Sequence, residues 1–504
     1  MNVVFEPQHL RLIAPEMVLT LSAFLVLGLS ALGGAGRNLW APLLSLLACA
    51  VTLVSVLSFV WHLGWDALRA PELTIGFNGM FIVDAFSIFF KVVFLLAAML
   101  TILVSSRYLD LERANVGEYY ALILFAVVGM MFLASAGDFI TIFVALETMS
   151  LSFYVLVGFL KANRKSNEAA LKYFLLGSFS TGILLYGISL VYGTTGTTIL
   201  GLIGISRAKM AMASPEAPIF VLGVILVTVG LAFKIAAVPF HMWAPDVYEG
   251  APTPVTAFLS VGSKAASFAM LIRIFLEGLP SMGHDWRLLF EALAIITMTV
   301  GNIAALTQSN VKRMLAYSSI AHAGYVLIGI VAGTSRGITA TLVYLFIYAF
   351  MQLGAFAVIV GLRRADVAGE ELKDFGGLHA RNPFAAFAML LFMLSLGGIP
   401  PTAGFMGKFW LFSAAIDAHY NWLAVIGVLN SAVSLYYYVR IVVFMYVKKE
   451  ALGSEPATSP TLAVVLGVAV AATLVLGVYP RLLFELADAS ARTLGAAGVT
   501  TSLR

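Results

Sequence analysis

A chain of 504 residues in which 61% are hydrophobic and only 11% are charged lies outside the range of soluble globular domains. At roughly 30 to 36 residues per helix and loop, the length accommodates about 14 membrane spans and leaves no room for a sizeable soluble domain. A net charge of +4 without a Lys/Arg cluster disfavours nucleic-acid binding, and one cysteine, Cys49, excludes a disulfide framework or a cysteine-held cluster within the chain.

The N-terminal stretch MNVVFEPQHLRLIAPEM is acidic before its first apolar run and lacks a basic leader segment, so the first span is expected to be retained. In chain order, the apolar runs predict spans at 12–33, 40–62, 81–105, 118–136, 139–160, 168–192, 218–247, 253–277, 288–307, 313–333, 338–362, 384–417, 421–447 and 460–484. Two of these runs are too long for one simple helix and carry prolines, Pro239 and Pro245 in the seventh, Pro400 and Pro401 in the twelfth. Each is read as one broken span. With fourteen spans the loop Lys/Arg residues divide 14 against 9 between the two sides, which places the richer loops in the cytoplasm and both termini outside.

Seven basic residues remain inside predicted helices: Lys91, Lys172, Lys234, Lys264, Arg273, Lys408 and Arg440. A charge at the bilayer centre costs roughly 2.5 to 3.5 kcal/mol on insertion scales, so each requires pairing, snorkelling or a polar path. Arg440 stands near a span end and is expected to snorkel. Arg273 and Glu277, four apart near a helix end, read as a surface ion pair. Asp84 and Lys91, seven apart, share one face of the third span and read as neutralising each other or as meeting a partner subunit. Lys234, Lys264 and Lys408 are too deep to snorkel, and two of them flank the proline breaks. Glu147 is a carboxylate about 20 Å from the end of the fifth span, and its expected partner is Lys172 on the antiparallel sixth. Lysines whose charge state responds to a nearby carboxylate suit a proton relay, with His241, just after Pro239, able to bridge its steps. The seven histidines offer no pair at metal-binding spacing.

Pro239 and Pro401 are 162 residues apart, about 32 for each of five helices. An odd-numbered unit inverts when repeated, so spans 4–8 and 9–13 are expected to form two inverted five-helix repeats. The corresponding division is 1–110 for an N-terminal three-span segment, 111–277 and 278–447 for the repeats, and 448–504 for a last span and tail without a motif.

The stretches ETMSLSFYVLVGFL, SNEAALKYFLLGSFSTGILLYGISLVYGTTG, AVPFHMWAPDVYEGAPTPVTAFLSVGSKAASFAML, NVKRMLAYSSIAHAGY and GGIPPTAGFMGKFWLF resemble the subunit N family of bacterial NADH:quinone oxidoreductase, respiratory complex I. The resemblance implies an all-α polytopic, proton-pumping subunit of the membrane arm in the bacterial inner membrane, part of a translocase but without a redox centre of its own. NADH, FMN, iron–sulfur clusters and quinone would then belong to other subunits, with subunits M and K, lipid and protons as partners. It further implies that Glu147, Lys172, Lys234, His241, Lys264 and Lys408 match the family's relay and switch positions. Subunits of multisubunit Na+/H+ antiporters share these lysines and are the alternative.

Overall fold

The computed structural model describes residues 8–32, 40–63, 74–112, 114, 116–211, 214–363, 369–448 and 459–494. Apolar runs of about twenty residues become helices because a backbone in lipid can satisfy its hydrogen bonds only internally. Among the described residues, thirteen helices are long and apolar enough to cross a membrane, and an interrupted pair, Pro383–Gly397 and Ala403–Asp417, completes the fourteen. In order, spans 1–6 are Ala14–Leu32, Trp40–Leu63, Ala85–Leu111, Gly117–Ser135, Phe139–Val157 and Arg164–Thr195. Span 7 is Glu216–Lys234 followed by the short helix Trp243–Gly250, and span 8 is Thr253–Gly278. Spans 9–11 are Gly283–Leu306, Val311–Ala332 and Ser335–Leu362; spans 13 and 14 are Asn421–Tyr446 and Pro460–Val478.

Both breaks lie where proline placed them. After Lys234 the chain passes through Ala236 at φ 57°, a left-handed conformation that costs a non-glycine residue about 1 kcal/mol. After Gly397 it turns through Gly398 at φ 85°, and a Cβ there would stand 3.0 Å from Lys408 Cδ, so both backbone angle and space require glycine. Span 4 packs on span 5, span 6 on span 7 and span 8 on span 4; in the second set span 9 packs on span 10, span 11 on span 12 and span 13 on span 9. Spans 8, 10 and 11 are buried on nearly every side and form the centre, whereas spans 1, 2, 6, 13 and 14 present apolar outer faces.

Several expectations are corrected. The fourteenth span stops at Val478 rather than 484, because Pro480 starts a separate helix, Arg481–Thr493. That helix buries Leu483, Ala487 and Ala491 against spans 3 and 11, and Ser490 Oγ donates to Ala85 O at 3.1 Å. The all-α fold holds, and among the described residues a short hairpin, β1 (Thr74–Gly76) with β2 (Phe81–Val83), is the one sheet added to it.

The Asp84–Lys91 pairing does not form. Asp84 caps span 3 and pairs with Arg273 at 2.7 Å, while Lys91 pairs with Glu16 of span 1 at 2.7 Å. Arg273 and Glu277 do pair, at 2.8 Å, but fully buried rather than at the surface, and Arg273 Nε also donates to Ala134 O. Arg440 donates to Leu306 O at 3.0 Å and to Gln308 O, closing the end of span 9. Lys312, counted among the loop cations, is buried against Ala251 O and Glu370. Of the cations used for orientation, Arg37, Arg69, Arg113, Arg364, Lys449 and Arg504 lie outside the described residues.

Candidate functional site

The first break positions one lysine precisely. Lys234 is the last residue of its half-helix, and the buried Phe233 carbonyl at that end accepts from Ala236 N and from Trp243 Nε1, each at 3.0 Å. Trp243 is fixed in turn by stacking on Tyr173 and Phe233, with centroids 4.7 and 5.5 Å apart. With that carbonyl already capped, Lys234 Nζ reaches across to Ser150 Oγ of span 5 at 2.8 Å, over the Tyr154 ring at 5.9 Å. Ser150 is three residues after Glu147, on the same helix face. Glu147 is the carboxylate whose charge acts on Lys234, and its Oε1 has no hydrogen-bond partner.

Lys172 is elsewhere. It pairs with Asp246 at 2.8 Å and Glu168 at 2.9 Å, and its side chain is 43% exposed. No ion pair joins it to Glu147 among the described residues. Arg313 holds the other Asp246 oxygen at 2.7 Å and Glu249 at 3.1 Å, and Lys165 also binds Glu249. Together these three cations and three carboxylates line an open polar cavity of about 230 Å³. His241 stands at the outer corner of the first break, half-buried between Phe240 and the exposed Met242, and its Nδ1 has no hydrogen-bond partner. No hydrogen bond connects it to Lys234 or Lys264.

Lys264 follows a π-helical turn, Leu259–Ser263, in the middle of span 8; such one-residue register shifts recur at functional sites. Its Nζ donates to Ser319 O and, at 2.5 Å, to Ser319 Oγ of span 10. One turn further on the same helix is His322. Its Nδ1 is 2.5 Å from the Tyr344 hydroxyl and its Nε2 is 3.0 Å from the Tyr438 hydroxyl, which also meets Ser318 Oγ at 2.5 Å. His322 feels both Lys264 and Lys408.

Lys408 belongs to the second break but solves a different problem. Its Nζ donates to Leu396 O at 2.9 Å and Gly397 O at 3.3 Å, capping the preceding half-helix, and to Ser431 Oγ at 2.8 Å. It lies 4.7 Å from the Tyr325 ring. The Tyr325 hydroxyl accepts from Asn302, whose carbonyl accepts from Tyr437 at 2.9 Å.

Of the residues expected from sequence, Lys234, Lys264 and Lys408 occupy buried polar sites, Glu147 stands beside the first, and Lys172 and His241 are at the margins. Sequence reasoning considered His322 only for quinone contact, not for the relay, and gave no role to Ser150, Ser319, Tyr344, Tyr438, Asn302 and Asp246. One signal was present: in LAYSSIAHAGY, Ser318, His322 and Tyr325 fall at helical spacing on one face.

The family model described as NADH:quinone oxidoreductase/Mrp antiporter, TM, matches residues 136–434. The chain is 46% identical to NADH-quinone oxidoreductase subunit N of Trichlorobacter lovleyi, over 97% of this chain and 99% of that one. Among solved structures, a chain of respiratory complex I from Thermus thermophilus with bound aureothin is 33% identical, with a TM-score of 0.77 over 93% of this chain and 98% of that chain. A chain of the Mrp complex from Dietzia sp. DQ12-45-1b shares the fold at a TM-score of 0.82 and 22% identity, over 98% of this chain and 99% of that chain. With a family model spanning more than half its length and a relative matched nearly end to end, this chain is a multi-pass membrane protein that belongs to the family of NADH-quinone oxidoreductase subunit N.

Proposed function

We propose that this chain is a proton-translocating subunit in the membrane arm of an NADH-quinone oxidoreductase, carrying protons through its own buried lysines while redox chemistry proceeds in other subunits. One observation carries the reading. Lys234, Lys264 and Lys408 are each at most 4% exposed, yet none has a carboxylate at ion-pair distance among the described residues; hydroxyls and carbonyls hold them instead. An unpaired buried cation costs several kcal/mol, and a lysine kept for structure would be paired, as Lys91 is with Glu16. Groups of this kind exchange protons when a neighbouring charge changes.

The path runs from Lys234 through Lys264 and His322 to Lys408, from the cytoplasmic side outward, and His241 serves the first break from its exposed corner. Glu147 and Lys172 form the switch. Lys172 withdrawn to Asp246 and Glu168 leaves Glu147 to act on Lys234 alone; Lys172 moved to Glu147 would cancel that carboxylate. Spans 4–8 and 9–13 act as inverted repeats within the divisions 111–277 and 278–447, and the chain sits in a bacterial inner membrane with both termini outside. Subunits M and K are its neighbours, and NADH, FMN, iron–sulfur clusters and quinone bind elsewhere in the complex.

The test is NADH-driven acidification of membrane vesicles containing Lys264→Ala. Protons moved per NADH should fall by about tenfold or more. Normal pumping by a fully assembled complex would overturn the relay, and an unchanged stoichiometry in Glu147→Gln would remove the switch. The fold likeness to the Mrp complex supports a second reading, a cation/proton antiporter subunit. Sodium-dependent proton movement without NADH would favour it.

A further inference from the structure

Span 11 carries a polar ladder that the path above does not use in full. Tyr344, Tyr348 and Gln352 recur every fourth residue and so share one face of the helix. Tyr344 is bound to His322. Among the described residues the other two side chains lack well-formed hydrogen bonds: Gln352 is 0% exposed with both amide atoms unpartnered, and the Tyr348 hydroxyl has only Ser319 close by. An amide buried in this way is destabilising unless water satisfies it, and its two donors and an acceptor are what an internal water requires. The opposite face of span 11, Phe346, Ala349, Phe350 and Leu353, packs on apolar residues of span 3, so the ladder faces away from span 3. Helical side chains lean toward the N-terminus, which carries the Gln352 amide toward the turn of Tyr348.

The surroundings give the ladder a direction. The Tyr348 ring is 5.8 Å from Lys264 Nζ and 5.1 Å from the His322 ring, so one end meets the centre of the relay. At the other end, span 11 runs on toward Arg363, paired with Glu112, while nearby Lys312 binds Glu370 at 3.0 Å and Thr253 Oγ1 stands 3.5 Å from the same carboxylate. Thr253 opens span 8, whose first turns pack along span 11.

We propose that Gln352 and Tyr348 form a buried water-binding site that joins the Lys264–Ser319 pair to the Glu370 end of span 11, supplying protons to Lys264 without passing through Lys234. Gln352 is thus a positioning residue: its amide holds the water, and the water carries the proton. This inference rests on the relay reading of Lys264.

The experiment uses the whole complex in native membranes with Gln352→Met, which keeps the side chain's length and removes its polar atoms. Because Gln352 has no protein hydrogen bond to lose, a purely structural role predicts assembly and pumping at or above the parent level. The water site predicts normal assembly, pumping lowered by about tenfold, a larger slowing in D2O than the parent shows, and recovery in Gln352→Asn. Gln352→Leu supplies the same test if the methionine variant fails to assemble. Parental pumping in either apolar variant, or no recovery with asparagine, overturns the proposal. Lys264→Ala in parallel separates the levels: intact pumping there defeats the relay itself, whereas loss there with normal pumping in Gln352→Met defeats only the water site.

Discussion

The two broken spans contain the same elements, a half-helix end, a proline turn and a lysine, yet they distribute the work differently. In span 7 the terminal carbonyl is capped by Trp243 of the following half-helix, which leaves Lys234 free to reach Ser150 beside Glu147. In span 12 Trp410 packs on Phe484 instead of capping the half-helix end, and Lys408 itself caps Leu396 O and Gly397 O. A lysine at a helix C-terminus sits in a field that favours its charge, because the unsatisfied carbonyls there carry roughly half a negative charge. Lys234 also ends a half-helix, but its ammonium bonds Ser150 on another helix rather than those carbonyls. Under the proposed relay, one break would couple its lysine to the Glu147 switch while the other anchors its lysine to a fixed backbone end, the arrangement expected for the driven and the receiving ends of one path.

The largest effect should come from separating cap and relay at Lys408. Lys408→Ala leaves Leu396 O without its donor and Gly397 O with only its bond from Ser431 Oγ, and an acceptor stripped in a buried site costs about 1 to 3 kcal/mol, so the complex should both lose pumping and melt or dissociate at lower temperature. Lys408→Gln retains a donor for the cap and should assemble normally while still failing to pump. Lys234→Ala should lose pumping as fully as Lys408→Ala but leave assembly near the parent, because the half-helix end it vacates remains capped by Trp243. Thermal dissociation on native gels beside vesicle acidification measures both quantities. Equal destabilisation by the two alanine variants would erase the distinction between the breaks.

How much of this could be read in advance differs by residue type. Spans were legible because lipid leaves the backbone one local solution, and the breaks were legible because Pro239 and Pro400–Pro401 cannot continue a helix. The lysines stood out because charge is rare in an apolar run. Their partners did not. Ser150, Ser319 and Ser431 look like many other hydroxyls in these spans, such as Thr101 and Thr228, which bond the carbonyl one turn back. Pairings chosen by proximity in sequence also failed where tertiary structure decided. Asp84 found Arg273 instead of Lys91, and Lys172, near its span end, found Asp246 across the first break rather than Glu147 on the adjacent helix. Helical periodicity identifies a face; it does not say which distant helix will cover that face.

A smaller effect is expected from Trp243→Phe. Phenylalanine retains the stack on Tyr173 and removes only the indole bond to Phe233 O, a loss of about 1 kcal/mol that should lower the dissociation temperature slightly. Pumping should fall less than in Lys234→Ala, since the lysine and Ser150 remain. If instead Trp243→Phe abolishes pumping with unchanged stability, the indole belongs to the proton path and the division between cap and relay in span 7 is wrong.

The smallest and most discriminating comparison is between the two serines that meet the lysines. Ser150 is the sole hydrogen-bond partner of Lys234 in the described residues, whereas Ser431 is one of three for Lys408. Removing one hydroxyl should cost about 1 kcal/mol in either place, but only at Ser150 does the lysine lose the contact that holds it one turn from Glu147. Ser150→Ala should therefore slow pumping by about fivefold, while Ser431→Ala, with Lys408 still fixed by two carbonyls, should remain close to the parent. Acidification rates of the two variants, normalised to assembled complex, decide the matter. The reverse order would mean that the anchored lysine, not the switched one, limits transfer.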